Sequence, residues 1–102
     1  MDTAETDAYL ERIVDLALGD GRDPATAVRA VEEAVEQGPL IEKLITYNLR
    51  VEHFADAIGW LETLARHADD GPVRDAYLER IVDVALKYAD KPSVAARAAQ
   101  AA

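Results

Sequence analysis

The chain has 102 residues, half of them hydrophobic, which is enough for one modest core in a single domain over residues 1–102. Its net charge is −9, from 20 acidic and 11 basic residues. This charge disfavours nucleic acids and anionic membrane surfaces as partners, because clustered lysine and arginine bind both. The absence of cysteine excludes disulfides and thiolate metal sites.

Glycine and proline divide the chain into helical segments. They cluster at residues 19–24, 38–39, 71–72 and 92, where a helix stop is often followed by a proline suited to the first turn of the next helix. No segment alternates with a period of two between strand-type turns, so no sheet is predicted. These signals predict an all-α fold, a compact bundle of four main helices plus a short C-terminal helix, with a long central third helix.

The first helix is predicted over residues 3–18 and the second over residues 24–37. Asp23 is the predicted N-cap of the second helix, because Pro24 follows it. In the first helix, Tyr9 and Leu16 widen the apolar face, which predicts contact with two neighbours. The main apolar positions of the two helices are Leu10, Ile13, Val14 and Ala17, and Ala27, Val28, Val31, Ala34 and Val35.

The third helix is predicted over residues 39–68, about 45 Å long if it is continuous. Two lines of heptad-spaced residues are apolar throughout this range, which favours a mostly continuous helix. Gly59 is its weakest point and Asn48 the second weakest. The two apolar lines are Leu44, Val51, Ile58 and Ala65, and Leu40, Tyr47, Phe54, Leu61 and Ala68.

The fourth helix is predicted over residues 72–89 and the fifth over residues 92–102, the fifth being short and rich in alanine. Residues 7–18 read DAYLERIVDLAL and residues 75–86 read DAYLERIVDVAL, so only Leu16 against Val84 differs. We call this near-repeat of twelve residues the echo. It predicts that helices 1 and 4 bury the same positions to similar extents, each packed against helix 3. Tyr77, Val82 and Leu86 are also predicted to lie in the core. The charged residues of the echo are predicted to form a solvated face.

Five residues of helix 3 form a candidate interaction surface outside its two apolar lines. His53, Trp60 and His67 follow one another at heptad spacing, and Ile45 and Leu49 lie on the opposite flank. One interpretation is that neighbouring helices of the same chain cover them. The other is that they bind a protein partner or a second copy in a homodimer.

The residues contain no constellation for catalysis, a cofactor or a metal ion. His53 and His67 are 14 residues apart, about 21 Å along a helix, which is too far for one metal ion. The segment after Asp20 is not a calcium loop, because Arg22 occupies a ligand position. We therefore expect no enzyme, and no catalytic, cofactor-binding or metal-binding residues.

Location is indicated only indirectly. No apolar run approaches the ~20 residues that cross a bilayer, and the first residues, MDTAETDAYLER, lack the basic and apolar regions of a signal peptide. The expected location is therefore cytoplasmic.

The chain resembles computationally designed helical bundles. The echo has unrelated flanks, Thr6 against Arg74 and Gly19 against Lys87, and residues 95–102 are rich in alanine. The resemblance implies a non-enzymatic scaffold with no natural activity. One alternative is a natural, salt-adapted interaction module that self-associates or binds a partner through helix 3. The other is a bundle that binds a ligand or metal through His53, His67 or an internal pocket.

Overall fold

The computed structural model describes residues 3–19, 23–69, 71–87 and 92–101, and confirms the all-α prediction, since these ranges contain helices and no strand. None of the helices in these ranges combines the length and the apolar character needed to cross a membrane. In chain order the helices are α1 (Thr3–Leu18), α2 (Pro24–Glu33), α3 (Gly38–Arg50), α4 (Phe54–His67), α5 (Gly71–Lys87) and α6 (Pro92–Ala101).

The chain divides into two compact units, an N-terminal unit over residues 1–47 and a C-terminal unit over residues 48–102. In the N-terminal unit α1 packs against α2, and in the C-terminal unit α5 packs against both α4 and α6. Each unit contains large side chains that are almost fully buried, which are Val14, Val31, Leu44 and Ile45 in the first and Leu61 and Ile81 in the second. A single domain for the whole chain stays a prediction.

The beginning of α2 confirms the predicted cap, but α2 ends earlier than predicted. The Asp23 carboxylate accepts the Thr26 backbone N–H at 3.3 Å and the Thr26 hydroxyl at 2.6 Å, and the hydroxyl bond is the main cause that lowers the pKa of Asp23. The backbone becomes extended at Ala34. Val35 therefore lies in a turn and is 71% exposed, so its predicted burial is wrong.

The predicted long third helix is wrong, because residues 51–53 separate α3 from α4. Glu52 has a φ of 63°, in the left-handed region, and its N–H donates to the carbonyl of Leu49 at 3.2 Å. The next N–H, of His53, donates to the carbonyl of Asn48 at 2.8 Å. These two bonds form a Schellman motif, in which the left-handed position is usually glycine.

Neither of the two predicted weak points lies at the break, since Asn48 is in α3 and Gly59 is in α4. A non-glycine residue in the left-handed region costs about 1–2 kcal/mol. The Schellman bonds satisfy two carbonyls that the end of α3 would otherwise leave unpaired. The break is therefore made without any glycine or proline.

The predicted equal burial of the two echo copies is wrong. Leu16 is 70% exposed whereas its equivalent, Val84, is 5% exposed. Leu18 is 6% exposed, but Leu86 is 54% exposed. Two pairs of equivalent residues do agree. Leu10 and Leu78 are both buried, and so are Ala17 and Ala85.

The buried face is rotated about the helix axis between the two copies. On a wheel of about 100° per residue, the buried positions of α5 are turned by roughly 75° from those of α1. The two copies also have different packing partners, since α1 packs against α2 whereas α5 packs against both α4 and α6, and Ile81 and Val84 of α5 are both buried. Tyr9, predicted to widen the core face of α1, is 64% exposed.

Candidate functional site

Three carboxylates spaced four residues apart, Asp7, Glu11 and Asp15, form what we call the acidic edge of α1. The Asp7 carboxylate accepts two backbone N–H groups from the turn after α2, that of Val35 at 3.1 Å and that of Glu36 at 3.0 Å. Because α2 ends at Glu33, the N–H groups of Val35 and Glu36 have no helical carbonyl to bond to, and the Asp7 carboxylate supplies their acceptors. It thereby fixes α1 to the turn between α2 and α3.

Lys43 of α3 completes the acidic edge of α1. Its Nζ lies 2.9 Å from Oδ1 of Asp15 and 3.4 Å from Oε1 of Glu11. The hydrogen bond to Asp15 is the largest cause that raises the pKa of Lys43, and it outweighs the desolvation that lowers it. All three side chains keep substantial exposure, about a third for Lys43 and about half for the carboxylates, so each pair contributes modestly.

The predicted solvated charged face is present on α1, where Glu11 and Asp15 are exposed, but the prediction did not include the partners that these carboxylates and the half-buried Asp7 have. In the second copy the equivalent residues, Asp75, Glu79 and Asp83, are exposed. The charged residues of the two copies are identical, so these residues alone do not show which copy has partners. The contacts of Asp7 and Lys43 depend on tertiary packing between segments 28 or more residues apart.

A shallow groove of about 420 Å³ lies beside the acidic edge of α1. Its lining combines apolar residues with three carboxylates, and consists of Ala4, Asp7, Ala8, Glu11, Val35, Glu36, Pro39 and Leu40. Two of its three carboxylates already hold the fold together, Asp7 through backbone amides and Glu11 through Lys43.

A second shallow groove, of about 500 Å³, lies in the C-terminal unit where α4 is joined to α5. Its walls carry two arginines and two carboxylates, so their charges balance. Arg66 also donates to the Thr63 hydroxyl at 3.2 Å. The lining residues are Glu62, Ala65, Arg66, Ala68, Asp69, Gly71, Arg74 and Leu78.

The five residues of the candidate interaction surface do not form one surface. Ile45 is fully buried, so its assignment to an exposed surface is wrong, and Leu49 on the same helix is half-buried. His53 is exposed at the N-cap of α4, Trp60 is half-buried and His67 is exposed at the end of α4. The break at residues 51–53 therefore leaves Ile45 and Leu49 in α3, and Trp60 and His67 in α4 with His53 at its N-cap.

Sequence reasoning assigned Tyr9, Ile13 and Leu16 to the packed face of α1 and did not predict their exposure. Tyr9, Ile13 and Leu16 follow the i, i+4, i+7 spacing of one helical face, which we call the α1 apolar face. Tyr9 and Leu16 are largely exposed, and Ile13 is half-buried. In the described ranges no three histidine, aspartate or glutamate side chains are grouped to hold a metal ion.

Removal of the Asp7 carboxylate is expected to destabilise the protein. We expect Asp7→Ala to lower the free energy of unfolding by about 1–2 kcal/mol, because two charge-assisted bonds to backbone amides are lost. The echo supplies a matched control, Asp75→Ala, which removes an exposed carboxylate from the same local sequence. Its expected effect is within about 0.5 kcal/mol. Urea denaturation measures both values, and equal losses would contradict the role of Asp7.

The contribution of Lys43 is expected to depend on pH. Because its pKa is raised in the folded state above the ordinary value of 10.5, its stabilisation is complete below that value and is lost as the pH rises through the folded-state pKa. The difference in melting temperature between the wild type and Lys43→Met should therefore be constant from neutral pH to about pH 10 and shrink above pH 10.5. Lys87→Met at the exposed end of α5 is the control. A difference that does not shrink at alkaline pH would contradict the ion pairs.

The chain was compared with known proteins in three ways. No protein-family model matches it. No curated protein sequence and no solved structure matches it significantly.

Proposed function

We propose that the chain is a non-enzymatic helical scaffold of designed origin. The observation that carries this proposal is the use of its charged groups, because Asp7, Glu11, Asp15 and Lys43 connect α1 to α3 and to the turn before it. Carboxylates close to a lysine are the groups that acid–base chemistry would use. Here their bonds serve to join secondary-structure elements.

The echo supports designed origin. The match covers residues 7–18 and 75–86 and stops abruptly on both sides, although α1 and α5 continue for four residues before it and the two copies pack against different helices. Repetition of a helix sequence without its flanks fits a process that chooses residues for helix formation first. For such a protein we propose no substrate and no cofactor, and a cytoplasmic location when it is made in a cell.

The melting temperature of the full chain, measured with and without excess zinc or haem, tests the scaffold against the ligand-binding alternative. A ligand that binds only the folded state must raise the melting temperature, by RT ln(1 + [L]/Kd) in free energy. The scaffold proposal predicts no change with either probe. A rise that His53→Ala or His67→Ala abolishes would overturn it in favour of a metal- or haem-binding bundle.

A second candidate function is self-association, and the α1 apolar face favours it. Tyr9 is 64% exposed and Leu16 is 70% exposed, which is unusual for large apolar side chains on one helical face. Three side chains supply much less than the ~800 Å² per partner of a standard interface. Association through this face alone should therefore be weak and depend on concentration.

Light scattering over a range of concentrations tests self-association, starting from a monomer mass of 11.1 kDa. If the α1 apolar face forms the contact, Leu16→Glu abolishes the increase in mass. If the contact is formed by Trp60 and His67 on α4, Trp60→Glu abolishes the increase instead. Leu86→Glu, at another exposed leucine, is the control and should change nothing. A wild type that keeps the mass of a monomer at every concentration removes this candidate.

A further inference from the structure

The connection between α3 and α4 differs from every other connection in the chain. Glycine or proline stands either in each of the other four connections or at the first positions of the helix that follows, at residues 19–24, 38–39, 71–72 and 92. Between α3 and α4 the residues are Val51, Glu52 and His53. All three have ordinary helix propensities, so the local sequence does not require the helix to stop here.

The apolar pattern of the sequence also continues through the break. Val51 lies on the same heptad line as Leu44 and Ile58. Leu44 and Ile58 are buried, whereas Val51 is 36% exposed. The break therefore interrupts a pattern that a continuous helix would follow.

The turn is made at a strained position. Glu52 has a φ of 63°, and a side chain with a Cβ disfavours this conformation relative to glycine. The two Schellman bonds, from Glu52 to Leu49 and from His53 to Asn48, hold the residue there. In a continuous helix the same N–H groups would instead bond to carbonyls four residues earlier, so both conformations satisfy them.

We propose that residues 51–53 form a conformational switch, in which the left-handed turn at Glu52 exchanges with a continuous α-helix that joins α3 to α4. The turn is the major state, and the continuous helix is a minor state. The residue at position 52 sets the balance, because it is left-handed in one state and helical in the other. This switch is independent of the proposed scaffold function.

Two substitutions at position 52 shift the balance in opposite directions. Glu52→Gly favours the turn, because glycine adopts a positive φ readily and weakens a helix. Glu52→Ala keeps the penalty of the left-handed turn and favours the helix. The ratio of helical to turn states should differ by roughly 30-fold between the two variants. Glu62→Ala, at an exposed position within α4, is the control and should leave the ratio unchanged.

NMR relaxation dispersion on the full chain measures the exchange, and the ¹³Cα shift of residue 52 identifies the minor state. We expect exchange centred on residues 51–53 in the wild type, with a helical shift in the minor state. Glu52→Gly should suppress it, and Glu52→Ala should increase the helical population. Equal populations in the two variants, a minor state that is not helical, or an alanine variant that stays wholly in the turn would each overturn the proposal.

Discussion

Leu18→Ala is expected to lower the free energy of unfolding by about 2–5 kcal/mol, because Leu18 is only 6% exposed and its truncation leaves a cavity. Leu86→Ala, the same substitution at the equivalent position of the second copy, should cost less than about 1 kcal/mol, because Leu86 is 54% exposed. Urea denaturation followed by circular dichroism gives both values. Similar costs at the two positions would contradict the difference in packing.

The isoleucine pair should show the opposite order. Ile81 is 1% exposed, so we expect Ile81→Ala to cost about 2–5 kcal/mol. Ile13 is half-buried on the α1 apolar face, so Ile13→Ala should cost about 1 kcal/mol, since fewer contacts are lost. The same denaturation experiment measures this pair.

The two pairs control for each other. A general difference in stability between the N-terminal and C-terminal units would make both substitutions more costly in the same copy of the echo. A rotation of the buried face predicts instead that the leucine substitution costs more in α1 and the isoleucine substitution costs more in α5. If both costs are larger in the same helix, the rotation is wrong.

Where proline or an N-cap residue marks a helix end, the sequence predicted the helix boundary well. The bounds of α1 agree with prediction, and α6 begins at the proline that marks it. Asp23 is the N-cap that its position before Pro24 predicts, with both bonds to Thr26 formed. Each of these features depends on residues within a few positions of one another, so the sequence is sufficient to predict them.

Features that depend on distant segments could not be predicted in the same way. The break at residues 51–53 carries no glycine or proline, and Glu52 has a left-handed conformation that its residue type disfavours. The exposure of Val35 follows from the end of α2 at Glu33, and Ile45 is buried although it lies outside the two apolar lines. An apolar pattern identifies a helical face but does not say which part of the face a neighbour covers.

The acidic edge of α1 was the least predictable feature of the candidate site. The residues of the echo are the same in α5, where Asp75 is exposed, so their local sequence cannot reveal the bonds of Asp7. The Asp7 oxygens are needed as acceptors because α2 ends at Glu33. The N–H groups of Val35 and Glu36, which lie beyond that end, donate to them. The role of Asp7 could therefore be predicted only if the early end of α2 were predicted first.

One helical sequence has two packing roles in this protein. Substitutions at the single position where the two copies differ, Leu16 against Val84, test this most directly. Leu16→Val and Val84→Leu each make the two twelve-residue segments identical. Because Leu16 is 70% exposed and Val84 is 5% exposed, Leu16→Val should change the free energy of unfolding by less than about 0.5 kcal/mol. Val84→Leu should lower it by about 1–3 kcal/mol, since the larger side chain overpacks a filled site. Equal effects of the two substitutions, or a larger loss from Leu16→Val, would contradict the claim.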